Sequence, residues 1–195
     1  MIKKKVGLLG GSFDPFHFGH LNLALSLKEA ASLDTVLLVP ARVSPFKEER
    51  VPRVSGEHRL EMLKRAVAGI KGFEVWDGEL KRPGPSYTID TVRQLLSEFP
   101  CELHLLLAED HISTFFSWKE ADLLIQLAPP LIGMRSKETV FPPCPWGTLI
   151  QTPCFEISST SIRERLAQKK YCGHLLPQPV LEYIQQHQLY ASDDN

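Results

Sequence analysis

Short segments rich in apolar residues recur along the chain, and polar, glycine or proline residues flank them. They occupy residues 6–9, 35–39, 73–76, 102–108, 131–134 and 148–152. In residues 6–9 and 35–39 the apolar residues form a short run that is typical of strands buried on both faces. The pattern therefore predicts six short strands, of which these two are buried.

Between these segments, the spacing of apolar residues becomes that of amphipathic helices. This spacing predicts helices over residues 19–32, 57–70, 88–99, 118–127, 161–169 and 177–187. In residues 57–70, for example, Leu60, Leu63 and Val67 lie along one face. Strands that alternate with helices favour parallel pairing and right-handed crossovers. We therefore expect a Rossmann-like three-layer α/β fold, with a mostly parallel sheet flanked by helices.

The length of the chain fits one domain, and its composition limits the kinds of partner. The chain has 195 residues, of which 43% are hydrophobic, and this is enough for a substantial core. We expect one domain over residues 1–195, with the helical segment at about 157–190 packed on it. The net charge of −1 provides no bulk field that would favour a nucleic acid or a membrane surface, so an anion site must be local.

Cysteine spacing and the lack of a long apolar run indicate the compartment. No run approaches the roughly 18 apolar residues that a membrane-spanning helix needs. The four cysteines lie far apart and form no C-x-x-C pair; they are Cys101, Cys144, Cys154 and Cys172. We therefore expect free thiols and a cytoplasmic protein.

Candidate chemistry follows the first predicted strand directly, in residues 10–20 (GGSFDPFHFGH). Neither G-x-x-x-x-G-K-[ST] nor G-x-G-x-x-G is present there. The glycines permit a tight turn near a ligand, and His17 and His20 share one face if a helix has begun. Helix N-termini attract anions, and imidazoles can donate hydrogen bonds and gain charge near neutral pH. The alternatives are two structural capping histidines or, with less support, a zinc site.

Hydroxyl groups cluster in a second segment, residues 157–163 (ISSTSIR), where another helix begins. One reading is purely structural, because Ser161 and Glu164 have the spacing of a capping box. The other reading is an anion cradle, in which backbone N–H groups and hydroxyls donate hydrogen bonds and Arg163 grips two oxygens.

Both segments resemble motifs of one enzyme superfamily. Residues 11–20 resemble the H-x-G-H signature of the nucleotidyltransferases, and residues 157–163 resemble their I-S-x-T-x-x-R motif. The resemblance implies that ATP binds at Gly10, Gly11, Ser12, Phe13, His17, Gly19, His20, Lys47, Ile157, Ser159, Thr160 and Arg163. It also implies that His17, His20 and Arg163 stabilise the transition state. Lys47 lies in a predicted loop, residues 42–54, where relatives often have a histidine in place of Phe46.

A third sequence element indicates which acceptor substrate is expected. Residues 84–91 resemble the G-P-S-Y-T-x-D-T element of the nicotinate mononucleotide adenylyltransferases, although Ser86 or Thr88 could simply cap a helix. The resemblance implies acceptor contacts from Ser86, Tyr87, Thr88, Asp110, Trp118 and Arg135. Amides near Thr88 would bind the nicotinate carboxylate, and Trp118 would stack on the pyridine ring. The chain departs from the family at Ala108-Glu109-Asp110, where Gly-x-Asp is usual.

The expected reaction is the transfer of AMP from ATP to nicotinate mononucleotide, giving nicotinate adenine dinucleotide and pyrophosphate in NAD synthesis. Mg²⁺ would arrive with ATP, so we assign no protein metal ligand and leave Asp14 unassigned. Two alternatives remain open. The acceptor could be nicotinamide mononucleotide or another phosphate, or the protein could be a non-catalytic nucleotide sensor. The sequence leaves the oligomeric state undetermined.

Overall fold

One parallel sheet forms the centre of the protein. A computed structural model describes residues 3–45, 52–135 and 144–191. Within these ranges, six strands pair in the order β3-β2-β1-β4-β5-β6, and every neighbouring pair is parallel. The strands are β1 (Lys4–Gly11), β2 (Thr35–Pro40), β3 (Phe73–Val75), β4 (Cys101–Ala108), β5 (Leu131–Met134) and β6 (Thr148–Gln151). The expected fold class is confirmed, with a wholly parallel sheet.

Helices connect the strands and cover both faces of the sheet. In the described ranges they are α1 (Phe18–Ala30), α2 (Gly56–Val67), α3 (Gly78–Lys81), α4 (Thr88–Glu98), α5 (Ala121–Leu127), α6 (Ser159–Ala167) and α7 (Gln178–Gln186). None of the helices in the described residues is both long and apolar enough to traverse a bilayer. The four cysteines are free, as predicted.

Successive residues of β1 point to opposite faces of the sheet and so belong to different cores. Leu8 pairs with Leu37 on one side and Leu105 on the other. Leu8 packs in a core with α4 and α5, whereas Leu9 packs in a second core with α1, α2 and α7. The central strands β1, β2, β4 and β5 are therefore largely buried between the two layers of helices, whereas the edge strand β6 is mostly exposed.

Two predicted helix starts are wrong. The predicted helix 118–127 begins only at Ala121, because residues Phe115–Ser117 form a 3₁₀ turn and Glu120 has a left-handed backbone (φ 54°). The predicted helix 161–169 instead runs over Ser159–Ala167, so it begins two residues earlier than expected. The predictions also missed the short helix α3.

Candidate active site

A cleft opens at the carboxyl ends of β1 and β4, where the strand order reverses. It encloses about 1320 Å³, and open α/β sheets bind ligands at this position. Every predicted site residue that the structure describes lines it: Gly10, Gly11, Ser12, Phe13, His17, Gly19, His20, Ser86, Tyr87, Thr88, Asp110, Trp118, Arg135, Ile157, Ser159, Thr160 and Arg163. Lys47 and Phe46 lie outside the described residues.

The turn between β1 and α1 brings backbone close to the cleft. A Cβ atom on Gly10 would meet no other atom within 4 Å, so a side chain there would extend into open space. A Cβ atom on Gly11 would lie 3.0 Å from the ring of Phe13. Phe13 and Phe16 are buried, and their rings lie 5.1 and 5.4 Å from that of His20. This hydrophobic base holds the histidine ring in place.

His17 is the N-cap of α1, and its ring stacks on that of His20 with 3.7 Å between centroids. The His17 backbone N–H donates to Nδ1 of His20 (3.3 Å), so Nε2 is the His20 nitrogen that can carry a proton toward a ligand. Burial lowers the pKa of His17 to about 4. The expectation that this ring gains charge near neutral pH is therefore wrong for His17, which is neutral there.

Close packing around α1 explains the glycine between the two histidines. A Cβ atom on Gly19 would lie 3.0 Å from Nδ1 of His17 and 3.6 Å from the carbonyl oxygen of Ile157. The first N–H group of the helix, on Phe18, already donates to the carbonyl of Leu175 (3.1 Å). One N–H group of this helix start is therefore already used within the protein.

The second motif meets the first at the start of α6. Ser158 caps this helix, because its Oγ accepts from the N–H of Ser161 (3.1 Å); the predicted Ser161–Glu164 capping box is wrong. The Ser159 hydroxyl donates to the carbonyl of Pro15 (3.0 Å). The two ends of the chain are thus joined at the cleft, and the hydroxyl proton of Ser159 is used within the protein.

Arg163 connects the same two segments. Its Nη1 donates to the carbonyl of Asp14 (2.7 Å), and its Nη2 donates to Oγ1 of Thr160 (3.1 Å). The side-chain oxygens of Asp14 accept from the hydroxyl of Tyr190 (2.7 Å) and the backbone N–H of Arg53 (2.8 Å). Arg163 is therefore fixed against the turn that carries the histidines, and the Asp14 carboxylate is occupied within the protein.

Sequence reasoning missed Arg59, which supports this turn from below. Arg59 is only 2% exposed, and its Nη1 donates to the carbonyl of Ser12 (2.7 Å). Burial lowers the pKa of Arg59, and the negative charge of Asp14 opposes this effect. A signal was present, because Arg59 shares the i, i+3, i+4 stripe of α2 with buried Met62 and Leu63. A charged residue on an apolar stripe requires a buried partner.

Residues 84–91, the segment that we expect to contact the acceptor (the acceptor element), are held by the residues that follow β2. The Ser86 hydroxyl accepts from the N–H of Arg42 (2.9 Å), and its own N–H donates to the carbonyl of Val43 (2.8 Å). The N-cap of α4 is Tyr87, and no side chain caps the helix. Capping by Ser86 or Thr88 is therefore wrong, and the first turn of α4 faces the cleft without a side-chain cap.

Glu79 anchors the acceptor element from inside. It is 6% exposed and accepts from the hydroxyl of Thr91 (2.5 Å), which in turn accepts from Nη2 of Arg82 (2.9 Å). Burial raises the pKa of Glu79, while hydrogen bonds from Thr91 and Ser86 act against this rise. Glu79 thereby fixes the first turn of α4 relative to the residues before it.

Aromatic and basic side chains also line the cleft near the start of α4. The Trp118 ring lies 5.5 Å from Phe115 and stands edge-on to His111 at 5.6 Å. Nζ of Lys119 lies 4.7 Å from the ring centre of Tyr87 and 3.3 Å from Oδ1 of Asp90. Lys119 was not predicted as a site residue, although it adds a positive charge beside the start of α4.

After β4, where the chain departs from the family pattern, the side chain of Glu109 is paired with a nearby arginine. The carboxylate of Glu109 accepts from the backbone N–H (2.9 Å) and from Nε (3.2 Å) of Arg135. The unexpected negative charge is therefore balanced by the arginine that we assigned to the acceptor. His111 lies 3.4 Å from Asp110 and lowers the pKa of that carboxyl, against the effect of burial.

Carboxylates and imidazoles do not gather into a metal site in the described ranges. No group of three or more His, Cys, Asp or Glu side chains there has the geometry to hold a metal ion. The described groups around the two motifs are chiefly cations and N–H donors. Such a set suits an anionic ligand.

Comparisons with known proteins agree with this arrangement. The family model described as cytidylyltransferase-like matches residues 8–165. A probable nicotinate-nucleotide adenylyltransferase of Oceanobacillus iheyensis is 33% identical over 197 residues, covering 98% of this chain and 100% of the relative. A protein of Bacillus cereus with the same description is 36% identical over 190 residues, covering 97% of this chain and 100% of the relative.

Solved structures share the fold. The nicotinic acid mononucleotide adenylyltransferase of Plasmodium falciparum, complexed with NaAD, matches with a TM-score of 0.76 at 20% identity, covering 96% of this chain and 97% of that one. A putative nicotinate-nucleotide adenylyltransferase from Vibrio parahaemolyticus matches with a TM-score of 0.69 at 18% identity, covering 96% and 95%.

Proposed function

Because the chain belongs to the cytidylyltransferase-like family, and within it to the nicotinate-nucleotide adenylyltransferases, we propose that its cleft transfers AMP from ATP to nicotinate mononucleotide. The products are nicotinate adenine dinucleotide and pyrophosphate. One observation carries the proposal. The His17–His20 pair, the start of α6 with Arg163, and the uncapped start of α4 all line one cleft at the reversal of strand order.

The reaction requires no covalent enzyme intermediate. An oxygen of the acceptor phosphate forms a bond to the α-phosphorus of ATP, while the bond from that phosphorus to the bridging oxygen breaks. The electron pair of the broken bond leaves with pyrophosphate. Catalysis then consists of alignment and of stabilising the negative charge that moves toward the leaving group.

The described residues supply that stabilisation from two directions. Nε2–H of His20 and the guanidinium of Arg163 donate to phosphoryl oxygens, and the start of α6 adds a positive dipole end. His17, which is neutral because of its burial, holds the His20 ring through stacking and through its backbone N–H. Its own contribution is thus a hydrogen bond or ring placement rather than a full charge.

The substrate in this proposal is ATP with its Mg²⁺. The Asp14 oxygens already accept from Tyr190 and Arg53, so that carboxylate does not fit the role of a metal ligand. Phosphate oxygens and water hold the ion in such a complex, and its charge offsets that of the leaving pyrophosphate. The protein groups named above then bind the phosphates that the ion leaves exposed.

Preference for the acid acceptor follows from the start of α4. Its first N–H groups, near Thr88, can donate to both oxygens of the nicotinate carboxylate, whereas an amide offers them only one acceptor atom. Lys119 adds a cation beside them. Trp118 offers an indole face to the pyridinium ring, a contact on the order of 0.5–2 kcal/mol.

A pyrophosphate-release assay tests the proposal. The protein is incubated with Mg-ATP and, in separate reactions, with nicotinate mononucleotide, nicotinamide mononucleotide, phosphopantetheine or no acceptor. We expect the highest kcat/KM with nicotinate mononucleotide. A higher value with the amide would establish the second candidate acceptor. ATP binding without release from any acceptor would instead identify a nucleotide-binding protein that does not turn over.

The four free thiols suit a reducing cytoplasm, which is the compartment that we propose. Fractionation of cells that produce the protein tests this location. Recovery of the protein with an oxidising compartment, with its thiols paired, would contradict it.

A further inference from the structure

A buried carboxylate lies directly behind the proposed phosphate site. Asp14 is 5% exposed and belongs to the turn that carries the histidines. Its Oδ1 accepts from the hydroxyl of Tyr190 (2.7 Å), and its Oδ2 accepts from the backbone N–H of Arg53 (2.8 Å). Buried carboxylates are stable only when such partners satisfy both oxygens. Loss of either donor therefore leaves the buried carboxylate with an unsatisfied oxygen, which favours a new contact with another donor or a cation.

Among the described residues, the cation nearest to this carboxylate is one that the proposed reaction uses. Nη1 of Arg163 lies 4.0 Å from Oδ2 of Asp14, while it donates to the backbone carbonyl of the same residue (2.7 Å). Oδ2 is the oxygen that the Arg53 N–H contacts, whereas Tyr190 contacts Oδ1. Because the two oxygens share the negative charge, loss of the Tyr190 donor strengthens the attraction between the carboxylate and Nη1. A shift of about one ångström would then form an ion pair at Oδ2, since charged pairs bind at about 2.7–2.9 Å. That ion pair would compete with the ATP phosphates for the same guanidinium.

The hydroxyl of Tyr190, which is distant in sequence from the turn, is one of the two donors to the Asp14 carboxylate. It packs with Leu189 against the core that α1, α2 and α7 share. Burial, and then the negative charge of Asp14, raise the pKa of the Tyr190 hydroxyl, so it remains a protonated donor at any working pH. The hydroxyl makes a specific contact with the turn, in addition to the apolar packing of its ring.

We infer that Tyr190 is a positioning residue for nucleotide transfer, which keeps Arg163 turned toward the ATP phosphates by satisfying the Asp14 carboxylate. This inference rests on the proposed function where it is tested by turnover, that is, by kcat/KM for ATP. It assigns to Tyr190 a role in ATP binding, although its ring is partly buried against the core.

Tyr190→Phe tests the inference, because it removes only the hydroxyl. We expect the affinity for Mg-ATP and kcat/KM for ATP to fall by about tenfold, which corresponds to about 1.4 kcal/mol. The KM for the acceptor should stay within about twofold of the wild-type value. Tyr183→Phe is a matched control, since its hydroxyl also bonds one side chain, Nδ1 of His58 (2.9 Å), outside the cleft. This control should leave both constants within about twofold.

A double-mutant cycle separates positioning from general loosening of the fold. In an Arg163→Ala background, Tyr190→Phe should change Mg-ATP affinity by less than about twofold, because the group that it positions is gone. Asp14→Asn should restore Mg-ATP affinity to Tyr190→Phe, because the neutral amide no longer attracts Arg163. If Tyr190→Phe alone does not fold, the double variant with Asp14→Asn provides the measurement.

Several results would overturn the inference. They are wild-type ATP affinity in Tyr190→Phe, an equal loss in Tyr183→Phe, an undiminished effect in the Arg163→Ala background, or no recovery with Asp14→Asn. Mg-ATP affinity is measured by titration calorimetry without an acceptor. A wild-type protein that binds ATP but releases no pyrophosphate would therefore refute the proposed function, while the role of Tyr190 is still tested by binding.

Discussion

Replacing His20 tests the division of work between the two stacked histidines. His20→Ala removes the Nε2–H donor, together with the ring that stacks on His17 at 3.7 Å. Loss of one preorganised donor to a transition-state oxyanion costs about 2.7–4 kcal/mol, or about 10²–10³ in kcat. The accompanying loss of the Nδ1 contact with the His17 N–H (3.3 Å) should cost only about 1 kcal/mol of stability. We therefore expect turnover to collapse while the variant stays folded.

Two further substitutions separate these contributions. The amide nitrogen of a glutamine at this position lies near the place of Nε2 and restores a donor, whereas an asparagine amide reaches only the place of Nδ1. His20→Gln should therefore recover part of the activity in the pyrophosphate assay, and His20→Asn should stay as low as His20→Ala. Melting temperatures would establish that all three variants are folded. Activity in His20→Ala within about threefold of the wild type, or equal rescue by both amides, would refute the assignment of Nε2 as the donor.

Three further predictions concern the same cleft. Gly19→Ala places a methyl group 3.0 Å from Nδ1 of His17, so we expect about a tenfold loss of kcat and a lower Tm; unchanged values would contradict this packing. Because burial lowers the pKa of His17 from 6.5 to about 4, the unfolded chain binds the extra proton, and stability should fall as the pH drops from 6.5 toward 4. Near pH 5 the free energy of unfolding, measured by urea titration, should be about 2 kcal/mol lower than at neutral pH. A His17→Gln variant with the same pH dependence would refute this origin. Lys119→Met should lower the ratio of kcat/KM for acid over amide acceptor by about threefold, and Asp90→Asn should raise it; shifts in the same direction would argue against a charge effect.

Local pattern in the sequence was sufficient for the layered fold. Residues 131–134 form a strand with the predicted bounds, and residues 6–9 lie inside β1. These predictions succeed because a strand that is buried on both faces must be apolar, whatever its neighbours are. The predicted start of α5 is wrong, because the left-handed backbone at Glu120 ends the preceding turn. The spacing of apolar residues gives no indication of this backbone conformation.

The motifs of the cleft are also visible in the sequence, since glycines, histidines and clustered hydroxyls occur at fixed spacing after a strand or before a helix. What spacing cannot determine is which distant segments meet. The contacts of Ser159 with Pro15, of Arg163 with Asp14 and of Tyr190 with Asp14 each join residues from opposite ends of the chain.

Charge state was likewise decided by the tertiary structure. A pKa depends on how much water and which charges surround a group, and burial that comes from several elements cannot be read from one segment. The sequence by itself therefore determined the layered fold and identified the two motifs that line the cleft. The tertiary structure alone decided that His17 is neutral, that Arg59 supports the turn and that Glu109 is paired with Arg135.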